Sequence, residues 1–352
     1  MTEKLRLEFG LDTFGDIGSD DTGKPLTAAQ SIRDVVEQAV LADELGIDHF
    51  NVGEHHRSDF AVSAPDTVLA GIATVTSKII LGTGVTVLSS EDPVRVYQRF
   101  ATLDALSNGR AEITAGRGSF TESFPLFGFA LSDYEQLFEE RLDLLVALLK
   151  ETPVTWSGAT RAALTNQEVY PKTERGAIPL RVGVGGSPHS VIRAAKHGAT
   201  LALAIIGGGA ERFAPFAGLY RESLKRFDKP QLPIGIHSPG HIADNDEEAA
   251  KQMWPHYNTS FGRIGRERGW GPMTYEHFDN EVKFGSLYVG SPETVANKII
   301  HAITSTGASR FDLKYSTGPM PQSQMMKSIE LYANEVIPRV KSALGNEIPI
   351  TY

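Results

Sequence analysis

The chain has 352 residues, of which 41% are hydrophobic, so it can bury a full core and is not globally disordered. A formal charge of −9 argues against a nucleic-acid partner or an anionic membrane surface. There is no cysteine, which excludes disulfides, thiolate metal sites, iron–sulfur clusters and Cys nucleophiles.

The N-terminal stretch MTEKLRLEFGLD lacks the apolar run of a signal peptide, and no segment approaches the about 20 apolar residues that span a bilayer. A cytoplasmic protein is expected. LRLEFGLDTF (5–14) reads as a first strand, and Thr27 to Leu45 as a helix opened by a Thr27/Gln30 capping box and stopped by Gly46. Strands follow at DHFNVGEHH (48–56) and KIILGTGVTVL (78–88), separated by a helix over 64–77. Residues 92–109 give a helix with Pro93 in its first turn, and RAEITAGRG (110–118) gives a fourth strand. A Ser132/Glu135 capping box predicts the next helix, over 132–150.

Further strands are expected at LRVGVGG (180–186), ATLALAII (199–206), LPIGIHSPGHIA (232–243) and FDLKYSTG (311–318). Helices are expected at 187–198, 211–227, 291–307 and 322–340. Eight strands alternating with helices point to a single α/β domain over 1–352, a (β/α)8 barrel of the TIM type. An open doubly wound sheet is the other architecture with this alternation. Residues 151–178, after the fourth helix, and residues 254–286 fall outside the repeat and read as insertions. In either architecture ligands gather at the carboxyl ends of the strands.

Four stretches at those ends carry candidate chemistry. In GEHHRSDF (53–60), one of His55 and His56 is a candidate general acid or base oriented by a neighbour. The alternative is a structural pair at the rim. A metal site is disfavoured, because the first strand has no His-x-His. Gly82 and Gly84 in ILGTGVTVLSSEDPVR (80–95) mark a bulge under a ligand or a barrel bend.

In ITAGRGSF (113–120), Gly116 and Gly118 leave room for a flat ligand or a phosphate, and Arg117 offers a positive fork, or a surface salt bridge. In VGVGGSPHSV (182–191), Gly185, Gly186 and Ser187 form a turn at a helix N-terminus suited to an anion, although the spacing is not that of a dinucleotide fingerprint. Gly207, Gly208 and Gly209 end the neighbouring strand and would open toward the same point. Together these suggest a flat, phosphate-bearing cofactor with a histidine at its reactive edge.

The chain resembles the bacterial-luciferase-like flavin monooxygenases nearly end to end. EHHRSDF resembles the Glu-His-His-x-x-x-Phe stretch of the luciferase catalytic subunit. LSSEDPVR with LDALSNGRAEITAGRG, VGSPETVANKI and ITSTGASRFDLKYSTG resemble its further segments, in the same order. The resemblance implies a (β/α)8 barrel that binds FMN, or in a sister branch F420. It implies His55 as the base that supports a flavin hydroperoxide, with His56 or Glu54 orienting it. It also implies a non-prolyl cis peptide at Gly84–Val85, Arg117 against the flavin, and Gly185, Gly186 and Ser187 at the phosphate. Two departures stand out: Gly-Gly replaces Glu-Ser in the phosphate turn, and Gly116 replaces a reactive cysteine.

The implied activity is a two-component monooxygenase. A separate flavin reductase supplies FMNH2, O2 adds at the flavin C4a, and the peroxyflavin oxidises a small organic substrate. An F420-dependent hydride-transfer enzyme and a non-catalytic flavin-binding protein are the alternatives. The 254–286 insertion, with Trp254, Tyr257, Phe261, Trp270 and Tyr275, is expected to be a lid, or else a packing or oligomer surface. Asp12, Thr13 and Phe14 are expected to line the substrate pocket, and a homodimer is expected.

Overall fold

The computed structural model describes residues 4–118, 120–269 and 271–349. Eight parallel strands form the barrel: β1 (Glu8–Thr13), β2 (His49–Val52), β3 (Ile80–Thr83), β4 (Ile113–Gly116), β5 (Leu180–Val184), β6 (Thr200–Ala204), β7 (Ile234–Ile242) and β8 (Arg310–Lys314). Hydrogen-bonded neighbours run β3-β2-β1-β8-β7-β6-β5-β4. The ring closes where Leu81 N–H donates to Arg110 O (2.8 Å) and Glu112 N–H donates to Leu81 O (2.9 Å). The closed barrel, rather than the open sheet, is therefore the architecture.

The barrel helices are α1 (Ala28–Glu44), α2 (Pro65–Ala73), α3 (Pro93–Leu106), α4 (Tyr134–Leu148), α5 (Pro188–His197), α6 (Ala214–Arg226), α7 (Pro292–Thr306) and α8 (Gln322–Leu331). Thr27 caps α1 by accepting from Gln30 N–H at 3.1 Å, but the Gln30 side chain turns to Asp34 instead of closing the box. The Ser132/Glu135 box does not form. Ser132 lies in a preceding 3-10 turn, Asp133 is the N-cap without a side-chain bond, and Glu135 reaches toward two arginines instead.

The apolar core lies between strands and helices, where Leu7, Phe9, Leu11, Phe50 and Leu81 are sealed from water. Phe9, for example, meets Tyr332 of the C-terminal helical segment with ring centroids 6.4 Å apart. The alternate residues line the barrel and are polar. Arg310 bonds Glu112 (2.8 Å) and Asp312 (2.8 Å), and Arg181 bonds Asp312 (3.0 Å), all four buried. Burial alone would raise Asp312, but Arg310 and Arg181 outweigh it and hold the carboxyl well below its ordinary range. Gly235 and Gly10 make room: a Cβ at 235 would stand 2.2 Å from Arg181 Nη2, and one at 10 would stand 2.0 Å from Asp312 Oδ1.

Both insertions are present. Residues 151–178 hold an antiparallel hairpin, Val154–Trp156 with Leu164–Gln167. The second begins earlier than expected, as helix Asp246–Arg268 followed by helix Tyr275–Phe284. Its aromatics pack on one another, Trp254 on Tyr275 (5.3 Å) and Tyr257 on Phe278 (5.4 Å), while Trp270 lies outside the described residues. Among the described residues no helix is long and apolar enough to cross a membrane.

Candidate active site

The site begins where β2 ends. Gly53 N–H donates to Thr13 O at 2.7 Å, and a side chain there is barred because a Cβ would stand 2.5 Å from Phe14 Cδ1. Beyond this pinch the three residues of Glu-His-His go to different places. Glu54 is buried. One of its oxygens takes a 2.9 Å bond with His56 Nε2, and the other accepts Val87 N–H at 3.1 Å. His55 sits instead among rings, with centroids 4.3 Å from Phe60, 4.8 Å from Phe14 and 4.9 Å from Phe120.

This corrects the expected relation between the histidines. Neither Glu54 nor His56 orients His55; Glu54 is committed to His56, and the aromatic rings hold His55. The electrostatics separate accordingly. Burial pushes the His55 imidazole down to about 3, so it is neutral near neutral pH rather than titrating there. The Glu54 hydrogen bond raises His56 above its ordinary value.

A second element lies at the end of β3. The Gly84–Val85 peptide is cis. Asp12, at the end of β1, lies against it, since a Cβ on Gly84 would stand 2.0 Å from Asp12 Oδ2. The Val85 side chain lies over two glycines of neighbouring strands: a Cβ at Gly116 would fall 2.5 Å from Val85 Cγ2, and one at Gly183 would fall 3.1 Å from Val85 Cγ1. Gly116 thus has a steric reason to lack a side chain.

The third element is cationic. Arg117 pairs with Glu135 and lies over the Tyr134 ring at 5.2 Å. The same carboxylate takes a 3.0 Å bond from the buried Arg193 of α5, which also meets Glu139. Glu135, Glu139, Ser187, His189, Ser190 and Arg193 line a cavity of about 420 Å3 at the start of α5. Ser190 Oγ and Arg193 Nη1 are buried there without a hydrogen-bond partner among the described residues. Ser187 is the N-cap of α5 but makes no side-chain capping bond, and Pro188 follows it. Gly186 has φ +108°, which favours glycine, and Gly185 has open space beside it. Unspent donors at a helix N-terminus suit a phosphate.

Arg117 connects the two regions. The next residue, Gly118 (φ +76°), lines a narrow crevice with Glu54, His55, His56, Val87 and Phe120. His55 and Gly118 thus share the rim of the crevice, and Arg117, next to Gly118, is tied to a cavity-lining residue through Glu135. Gly208 and Gly209 are not in the lining of the cavity; Gly208 N–H is bonded to Glu281 at 3.1 Å. Sequence reasoning missed Ser190 and Arg193. Their signal was present in SPHSVIR, where positions three apart share a helix face.

The rim is tied to the second insertion. Arg57 makes a two-pronged bond to Glu267, at 2.5 and 3.0 Å, and lies over Phe120 at 4.7 Å. Arg263 joins the same cluster through Asp59 at 3.4 Å and Glu267 at 3.2 Å.

Comparison with known proteins places this geometry among related chains. The chain is 30% identical over 241 residues to N-acetyl-S-alkylcysteine monooxygenase of Bacillus subtilis, covering 66% of this chain and 68% of that one. It is 24% identical to the oxygenase component of flavin-dependent trigonelline monooxygenase of Acinetobacter baylyi, covering 89% and 91%. Among solved structures, monooxygenase RslO1 from Streptomyces bottropensis superposes with TM-score 0.81 at 24% identity, covering 94% and 99%. The oxygenating constituent of 3,6-diketocamphane monooxygenase from Pseudomonas putida, solved with FMN, gives 0.74 at 20%, covering 96% and 99%. The F420-dependent tetrahydromethanopterin reductase of Methanopyrus kandleri gives 0.72 at 18%, covering 96% and 100%. The family model for luciferase-like monooxygenases matches residues 7–310, and the chain belongs to that family.

Proposed function

We propose that this chain is the oxygenase component of a two-component FMN-dependent monooxygenase. In this reading it takes reduced FMN from a separate flavin reductase and inserts one atom of O2 into a small organic substrate. The observation that carries the reading is the pocket at the start of α5, where Ser190 Oγ and Arg193 Nη1 are unspent beside Ser187, one residue pair away from Arg117. That donor set fits a phosphate monoester. Two relatives, a flavin-dependent oxygenase component and an oxygenating constituent solved with FMN, support FMN as the group.

Reduced FMN, when bound, supplies the electrons that activate O2. The protein's own part follows from its side chains. Ser187, Ser190, Arg193 and Arg117 would hold the phosphate, in competition with Glu135. Gly84, Val85 and Gly116 would support a flat ring. His55 presents a neutral imidazole, with one nitrogen carrying a proton and one free, so it would offer the ring a hydrogen-bond donor and an acceptor rather than an ordinary base. Phe14, Phe60 and Phe120 exclude water from it. The helices of 246–284 act as a lid, fastened to the rim by Arg57 and Glu267.

The test is quenching of flavin fluorescence on titration with FMN, riboflavin and F420. FMN is expected to bind at least about tenfold more tightly than riboflavin, which lacks the phosphate. The reduced FMN complex should also reoxidise in air more slowly than free reduced FMN. Preference for F420, or equal affinity for FMN and riboflavin, would overturn the assignment.

A further inference from the structure

One acid–histidine pair is not used by the chemistry above. Asp12, at the carboxyl end of β1, is 3% exposed, and its Oδ2 stands 3.2 Å from Nδ1 of His237 on β7. The His237 ring is stacked on Phe14, with centroids 5.9 Å apart and planes 13° apart, and the edge of Phe14 meets His55. His237 thus belongs to the same aromatic row as the His55 crevice. Its charged surroundings are Asp12, Lys314, whose ammonium lies over Phe14 at 4.6 Å, and Asp16, which pairs with Lys314 at 3.2 Å.

The pair differs from the ion pairs deeper in the barrel. Arg181, Arg310 and Asp312 are 2 to 4% exposed and spend their charges on one another. The His237 side chain is 14% exposed. Its Nε2 has no hydrogen-bond partner among the described residues, yet it is not among the sealed, unpartnered atoms. An Asp12 carboxylate 3.2 Å from Nδ1 favours the Nδ1–H tautomer and leaves the Nε2 lone pair as an acceptor on the partly exposed ring. The complement of such an acceptor is a donor on the ligand, and the complement of the adjoining Phe14 ring is a flat apolar body.

We propose that His237, positioned by Asp12, binds the organic substrate through an acidic hydroxyl on a planar frame, as in a phenol or an enol, and takes its proton. The substrate O–H bond breaks and the Nε2–H bond forms. The bonding pair stays on the substrate oxygen and is shared into its carbon frame, making those carbons better nucleophiles. The positive charge left on the imidazole is balanced by Asp12. This rests on the monooxygenase reading, for which an electron-rich substrate carbon is the natural target of an activated oxygen atom.

The experiment uses protein labelled with 15N-histidine, with and without FMN, titrated with phenol and with anisole, which has the same ring but no hydroxyl proton. Phenol is expected to shift the His237 Nε2 resonance and anisole to leave it in place. His237→Phe should weaken phenol at least about tenfold while changing anisole less than about twofold, and Asp12→Asn should weaken phenol by about tenfold through loss of the favoured tautomer. If phenol and anisole move His237 alike, or neither moves it, the proposal fails, and the wild-type spectra alone decide this should either variant misfold. FMN quenching on the same samples separates the two readings. FMN binding without a phenol response at His237 removes this proposal alone, whereas absence of FMN binding removes the monooxygenase reading, and the phenol response of the flavin-free protein still reports on His237.

Discussion

Glu54 is bonded to His56 at 2.9 Å and makes no bond to the histidine next to it. Adjacent residues of one type are thereby put in opposite environments. The Glu54 bond raises His56, and burial lowers His55 to about 3.

The first prediction is a split titration. In histidine NMR, His56 should protonate above its ordinary value of 6.5, and His55 should remain neutral until well below it. The stability consequences have opposite signs. His56 contributes stability that is full below pH 6.5 and is lost as pH rises through its raised value. His55 resists protonation in the fold, so stability present above pH 6.5 is lost as pH falls toward about 3. Replacing His55 by Leu should flatten the acid limb of a plot of Tm against pH, and His56→Leu should flatten the limb above 6.5. Unchanged limbs in both variants would contradict these environments.

A second prediction concerns Glu135, an internal anion spanning Arg117 and Arg193. A phosphate bound at the proposed site would compete with it for both arginines. Glu135→Gln should therefore tighten binding of FMN and of inorganic phosphate by several-fold, about 1 kcal/mol. Arg193→Met should weaken both by at least about tenfold, because a charge-assisted bond is lost. Fluorescence titration at fixed salt reads both, and weaker binding by the Gln variant would show that Glu135 holds the site together instead of blocking it.

Legibility followed the range of the interactions. All eight strands and the helices between them were readable, because a cap such as Thr27 before α1 or a first-turn proline such as Pro93 in α3 is local. The charges inside the barrel were not. Glu112, Arg181 and the Arg310–Asp312 pair come from three elements far apart in sequence, and only the assembled barrel makes the three neighbours. The same limit applied at the site. Glu54 lies one residue from His55 and two from His56, and spacing alone could not say which it bonds. Gly208 looked like a ligand turn, but its N–H is claimed by Glu281 from another helix. Ser132 and Glu135 fitted a capping box until Arg117 and Arg193 offered Glu135 full charges, a stronger attraction than one backbone N–H.

The third prediction tests the fastening of the second insertion. Glu267 receives both arms of Arg57, whose other face covers Phe120. Glu267 is 44% exposed, so solvent screening limits the pair, and Glu267→Gln should cost only about 0.5–1 kcal/mol of global stability. Its local effect should be larger. Amide exchange should quicken over residues 54–60 and near the end of the 246–268 helix, while the barrel strands stay protected. Equal exchange in the two proteins would mean that apolar packing, not this ion pair, holds the insertion to the rim.

The last prediction follows from Val85 lying over Gly116. A Cβ on residue 116 would stand 2.5 Å from Val85 Cγ2 and 2.9 Å from Val85 Cβ, and a β-branched side chain has little freedom to retreat. Gly116→Ala should then cost about 1–3 kcal/mol by overpacking. It should also weaken FMN binding, since the displaced atoms belong to the proposed support for the ring. Val85→Ala removes both Cγ methyls but keeps the Cβ at 2.9 Å, so the double variant should recover part of the loss in stability. Urea denaturation of the wild type, both single variants and the double variant gives the coupling directly. Coupling near zero would separate the two residues energetically and leave Gly116 without the steric role assigned to it.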